Sequence, residues 1–305
     1  MIAIQGLQIC KQYYYEIAHD SLKQRFADIF DRLAVGLVGA GSDCFGFDDE
    51  ISRDHDWGPG FCIFVPGDIY TDAAPKLSAW YDGLAKTYAG HGPRFVTEPG
   101  RIGPLHLENF FATLTGLRCQ SPSLRQWLAA NAEGLALCAN GELFFDNAGL
   151  FTSWREALSK YPEDVRRKKI ASDCFLAGQS GQYNYIRSTK RGDAFAAEYA
   201  LTQFCSRALS LAFLLANQFA PYYKWKLKAA LLLPPPYADI ARGVADILEN
   251  RENTQARIEA LSQEIIAQLK LQGLAKDDSD FLADYKDIVE KTIVDDDIRS
   301  LPGLY

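Results

Sequence analysis

Residues 35–65 read V-G-L-V-G-A-G-S-D-C-F-G-F-D-D-E-I-S-R-D-H-D-W-G-P-G-F-C-I-F-V. Residues 35–38 form an apolar run that predicts a short buried strand, and Gly39, Gly41 and Ser42 follow at once. Glycine tolerates positive φ and lets a ligand come close to the backbone. A Gly-Ser turn leaving a strand, with free N–H groups, suits phosphate oxygens. Asp54 and Asp56 follow, two residues apart. On a strand that spacing turns both carboxylates to one face. Such a pair makes an oxygen-rich site suited to Mg²⁺ carrying a nucleotide phosphate. His55 then points to the opposite face, as a core residue or one that backs the site, and not as a ligand. Trp57, Gly58 and Pro59 bend the chain before residues 61–65 resume as an apolar strand.

The spacer holds Asp43, Asp48, Asp49 and Glu50. Asp43 and Glu50 read as a solvated acidic loop. Asp48 and Asp49 read equally well that way or as groups orienting metal waters or Arg53. Ser52 or Arg53 either touches phosphate or closes a helix end.

Before this stretch, helical spacing predicts helices over 7–19 and 22–33. After it come a loop at 66–72 and an amphipathic helix at 74–88. Strands are expected at 94–97, 105–107 and 142–146, with helices at 108–117 and 123–130. From residue 153 the pattern is helical. A long helix over 165–185 opens with Arg166, Arg167, Lys168 and Lys169, which read as a solvated face. Residues 193–219 are apolar at helical spacing, including Phe195 and Tyr199, and mark the centre of a bundle. A-P-Y-Y-K-W at 220–225 starts the next helix, which ends before three prolines at 234–236. Helices follow at 238–249, 254–271 and 281–294.

The chain has 305 residues, 48% hydrophobic and 23% charged, which places it among ordinary globular proteins. A net charge of −7 argues against broad nucleic-acid binding, which needs a basic surface. Seven scattered cysteines contain no C-x-x-C pair and read as mostly buried thiols of a reducing cytoplasm. The longest apolar run, 208–216, is shorter than the roughly 20 residues that span a bilayer, and the start lacks a signal-peptide pattern.

Gly41-Ser42 followed by Asp54-His55-Asp56 resembles the active-site signature of the nucleotidyltransferase superfamily, the DNA-polymerase-beta-like fold. The longer wording G-S-D-C-F-G-F-D-D-E-I-S-R-D-H-D-W-G-P, with A-P-Y-Y-K-W, is similar to the bacterial domain of unknown function 4037, from residue 7 to about 233. The resemblance implies an α+β fold. A nucleotidyltransferase-type mixed-sheet domain, residues 1–150, is followed by an all-helical bundle domain, residues 151–305, with the ligand in the cleft between them. It also implies transfer of a nucleoside monophosphate, AMP from ATP, to a hydroxyl of a small molecule or protein. Asp54 and Asp56 would be catalytic and hold Mg²⁺; Gly41, Ser42 and Arg53 would meet phosphates. Lys224 reads equally as a phosphate contact or a snorkelling lysine, and Tyr223 as stacking on a base or packing. The superfamily's third carboxylate has three candidates, Glu98, Glu108 and Asp146. The general base has two, Asp193 and Glu198. The alternative reading is a catalytically silent nucleotide-binding or toxin-neutralising protein of the same fold.

Overall fold

The computed structural model describes residues 5–97 and 100–303. It divides into two compact units: residues 1–122 with 133–159, and residues 123–132 with 160–305.

Unit 1 is built on a four-stranded mixed sheet of order β3-β2-β1-β4. The strands are β1 (Ala34–Leu37), β2 (Cys62–Val65), β3 (Gly103–His106) and β4 (Glu142–Asp146). β1 runs antiparallel to β2 and β4, and β2 runs parallel to β3. β1 and β2 are buried at every position, as expected of central strands covered on both faces. Alternation sends Ile63 and Val65 into one cluster with Tyr13, Tyr14 and Leu77. Phe64 turns the other way, its ring 4.9 Å from Phe110 and 4.4 Å from Phe151. The β1–β4 ladder slips its register after Val35. Gly36 sits at that slip, where a Cβ would lie 2.4 Å from the Glu142 carbonyl oxygen.

Helices α1 (Gly6–Tyr13), α2 (His19–Arg25), α3 (Gly67–Asp82) and α4 (Leu107–Thr115) belong to this unit. A π-helical turn, Tyr14–Ala18, joins α1 to α2, and residues 30–32 form a 3₁₀ turn where the expected second helix would end. The expected loop at 66–72 is mostly helix: α3 starts at Gly67 because the Glu108 carboxylate accepts its N–H at 3.0 Å. The expected strand at 94–97 is absent; Arg94 is instead drawn inward as a counter-ion.

In unit 2, α5 (Leu124–Ala129) opens with a Ser123 capping box. The chain then returns to unit 1 for short α6 (Ala132–Ala139), all but its first residue, and α7 (Leu150–Ala157), before the long helices of unit 2. Helix α8 (Glu163–Ala177) continues as a π-helical turn to Tyr185 and then α9 (Ile186–Lys190). Helix α10 (Ala194–Leu215) is buried from Leu201 onward along one face, whereas Phe195 and Tyr199 are exposed. Then come α11 (Tyr223–Ala230), α12 (Tyr237–Glu249), α13 (Thr254–Leu271) and α14 (Tyr285–Glu290). No described residue from 165 to 233 is in a strand.

The basic run opening α8 is not a solvated face. Arg166 and Lys168 are buried. The Lys168 ammonium donates to Glu290 at 2.7 Å and to the Arg299 and Leu301 carbonyls, so it pins the C-terminal segment. Arg166 donates to Glu163, the Leu214 carbonyl and Gln272. Helix α8 is surrounded, so charges at these positions meet partners rather than water.

Candidate nucleotide site

β1 ends against the sheet and releases the chain into residues 38–47. The side-chain amide of Asn140 clamps the first turn: it accepts from Gly39 N at 2.9 Å and donates to Gly39 O at 2.8 Å. Arg101 donates to the Ala40 carbonyl at 3.0 Å. Gly41 is required by close approach, because a Cβ there would fall 2.5 Å from the Asp43 carboxylate. Asp43 is fully buried and paired with Arg94, whose side chain is 2% exposed. Arg94 also donates to the Gly58 carbonyl at 3.1 Å. Burial pulls the Arg94 pKa down, but the charge of Asp43 and the neighbouring thiols reverse this, so the guanidinium stays charged. Asp43 is therefore an internal counter-ion, not part of a solvated loop. Asp48 ties the far side, accepting from Gly6 N at 2.7 Å and Trp57 Nε1 at 2.9 Å.

These bonds leave something over. The backbone N–H groups of Ala40, Gly41, Ser42 and Asp43 donate to no described residue, and neither does the Ser42 hydroxyl. A row of unspent amides at a strand end is the kind of backbone from which anion sites are built. A cavity of about 580 Å³ lies beside it, lined among others by Gly39, Ala40, Tyr70, Arg101, His106, Asn109 and Phe110. That volume is in the range of small-molecule sites. The wall is mixed, with Tyr70 and Phe110 aromatic and Arg101, His106, Asn109 and Thr113 polar. The His106 ring packs 4.9 Å from Tyr70, with Nδ1 3.1 Å from Glu108.

The three thiols near the buried pair are inert. Burial pushes Cys10 up to about 11 and Cys62 up to about 12, and raises Cys44 well above its ordinary value.

Asp54 and Asp56 are not on a strand. Residues Ile51–Arg53 form a 3₁₀ turn, Asp56 has φ of 50°, and β2 begins only at Cys62. The glycines and proline at 58–60 delay the strand, so the two-residue alternation never applies. Asp54 is exposed and pairs with His55 Nδ1 at 2.7 Å, which also brings His55 to the surface. Asp56 accepts from Thr97 Oγ1 at 2.8 Å and Thr97 N at 3.3 Å. Among the described residues, no three His, Cys, Asp or Glu are grouped to hold a metal. The two carboxylates therefore do not share a strand face, and each is engaged by another partner in this turn.

Arg53 stacks 4.7 Å over the Trp57 ring. Asp49 closes a turn with Ser52, accepting from its N–H at 3.0 Å. Glu108 is spent on Gly67 and His106, and Asp146 accepts from Thr152 N and Oγ1, turning β4 into α7. Glu98 lies outside the described residues. In unit 2, Tyr223 is 86% exposed at the start of α11, and the Lys224 ammonium stands 5.1 Å over Trp225. Asp193 caps α10 through Ala196 N, and Glu198 pairs with Arg251 on the surface.

Residues 127–226 match the domain of unknown function DUF4037. The resemblance read from the sequence is thus met over a third of the chain, including A-P-Y-Y-K-W but not the Gly39–Asp56 stretch. A crystallised nucleotidyltransferase-like protein from Exiguobacterium sibiricum 255-15 is similar at 12% identity, over 90% of this chain and 80% of that one, with a TM-score of 0.38. No curated protein matches the chain. No described helix is long and apolar enough to cross a membrane.

Arg94, Asn140 and Arg101 shape this site, and the sequence reading missed all three. Asn140 belongs to none of the motifs read from the sequence, and Arg94 reads as part of a strand. Nothing local marks either as the partner of a residue many positions away.

Proposed function

We propose that unit 1 binds a nucleoside triphosphate, ATP being the nucleotide expected, and that the chain is a nucleotidyltransferase. The observation that carries the proposal is the row of uncommitted amides at residues 40–43 beside a cavity of about 580 Å³. The amides and the Ser42 hydroxyl would take phosphate oxygens, and the cavity lined by Tyr70, Arg101 and Phe110 would take the nucleoside. In the reaction an acceptor hydroxyl attacks the α-phosphorus and loses its proton. The bond from the α-phosphorus to the bridging oxygen breaks, and pyrophosphate leaves. Fixed amides aimed at the leaving phosphates stabilise charge there without reorganising. The clamp from Asn140 and the buried Asp43–Arg94 pair hold them in place.

One observation favours a second reading, a nucleotide-binding protein without turnover. Asp54 and Asp56 are each engaged elsewhere. Incubation with α-³²P-labelled ATP, Mg²⁺ and a cell extract separates the two. Label transferred to an acceptor supports the enzyme. ATP binding by calorimetry with no transfer supports the silent protein. Absence of both overturns the nucleotide site itself.

A further inference from the structure

Unit 2 contains a second cavity, of about 200 Å³, that the nucleotide reading does not use. Its walls come from α8, α10 and the segment after α10. Lys169, Asp173, Tyr161, Arg207, Ser210 and Gln218 face it. The volume is below that of drug-sized pockets, so a nucleotide does not fit and a small ion or metabolite does.

The charges do not balance. Asp173 is buried and binds Arg207 Nη1 at 2.9 Å. Lys226 anchors the wall by donating to Ser210 Oγ at 2.6 Å and to the Ser206 carbonyl, and its charge also reaches Asp173. One carboxylate thus serves two cations already. The third cation, Lys169, makes no hydrogen bond to any described residue; its ammonium stands 5.2 Å over the Tyr161 ring. The remaining guanidinium nitrogens of Arg207 and the Gln218 side-chain amide also donate to no described residue.

Burial lowers the Lys169 pKa, and Asp173 offsets this only in part. Burial likewise raises that of Asp173, against the pull of Arg207. A half-buried ammonium without an acceptor carries a cost that a bound anion removes. Arginine's fork suits a carboxylate or phosphate, and one edge of it remains open here.

We propose that this cavity binds a small oxyanion, a carboxylate or a phosphate group, between the Lys169 ammonium and the open edge of Arg207. Tyr161, Phe213 and Leu214 supply the apolar part of the wall, beside the polar Ser210 and Gln218. The site is independent of the nucleotide site, so either proposal can fail alone.

The test is calorimetric titration of the full chain with inorganic phosphate and, separately, with acetate. Wild type is compared with Lys169→Met. The expected result is one site present in wild type and at least about tenfold weaker in the variant, the scale of one charged hydrogen bond. Phosphate alone, acetate alone or both binding at that site identifies the group it takes. Identical titrations for wild type and Lys169→Met overturn the proposal, as does the absence of binding by either anion. Should the variant not fold, the wild-type protein answers by NMR of ¹³C-methylated lysines. A lysine resonance of depressed pKa that moves up on adding the anion supports the site, and one that stays fixed overturns it.

Discussion

Two loops of unit 1 come from one stretch of sequence and behave oppositely. Residues 39–48 are tied at every corner to distant parts of the chain: Asn140, Arg101, Arg94 and Gly6. What remains free there is a row of backbone donors. Residues 51–55 are exposed or half-buried and held mostly by neighbours, such as Ser52 on Asp49 and His55 on Asp54, before Asp56 bonds to Thr97 and Trp57 turns inward. Each loop carries two aspartates, yet only the first is preorganised. Buried long-range partners, not composition, make a loop into a rigid binding element.

That contrast can be broken by mutation. The largest effect is expected at the buried pair. Asp43→Ala leaves the Arg94 guanidinium buried without a counter-ion and should cost about 3–5 kcal/mol. Urea unfolding checks it; a loss under about 1 kcal/mol would mean the pair is not what holds the loop.

Asn140→Ala removes both bonds to the Gly39 backbone and should cost about 1–3 kcal/mol, with weaker ATP binding. Unchanged ATP affinity in this variant would show that the turn needs no clamp to bind phosphate.

A smaller effect is expected in the second loop. Asp56→Ala loses the Thr97 bonds, which are solvent-exposed, and should cost about 1 kcal/mol or less. A loss as large as that of Asp43→Ala would erase the distinction between the loops.

The smallest effect is expected for Asp54→Asn, within about 0.5 kcal/mol of wild type, because the side chain is exposed beside His55. ATP affinity measured without Mg²⁺ should not change either. If this variant nevertheless abolishes label transfer with Mg²⁺, the 51–57 loop must reorganise on binding, and the comparison would apply only to the ligand-free state.

Much of the secondary structure was legible from local pattern. The strands at 35–38 and 61–65 were readable from apolar runs, and β4 and α13 match the expected bounds, Glu142–Asp146 and Thr254–Leu271. Hydrophobic periodicity is a local property, so a helix or strand with one buried face announces itself. The Gly-Ser turn was also legible, because a strand followed at once by glycines has few alternatives.

Tertiary structure alone decided the rest. Asp43 looks like any loop aspartate until Arg94 closes on it from 51 residues away. Lys168 and Lys169 look like a wet helix face until the C-terminal segment covers one and a cavity receives the other. The Asp54/Asp56 spacing carries meaning only on a strand, and the chain there turns instead. The free energy of a charge depends on what surrounds it in space, and one-dimensional spacing does not encode that environment.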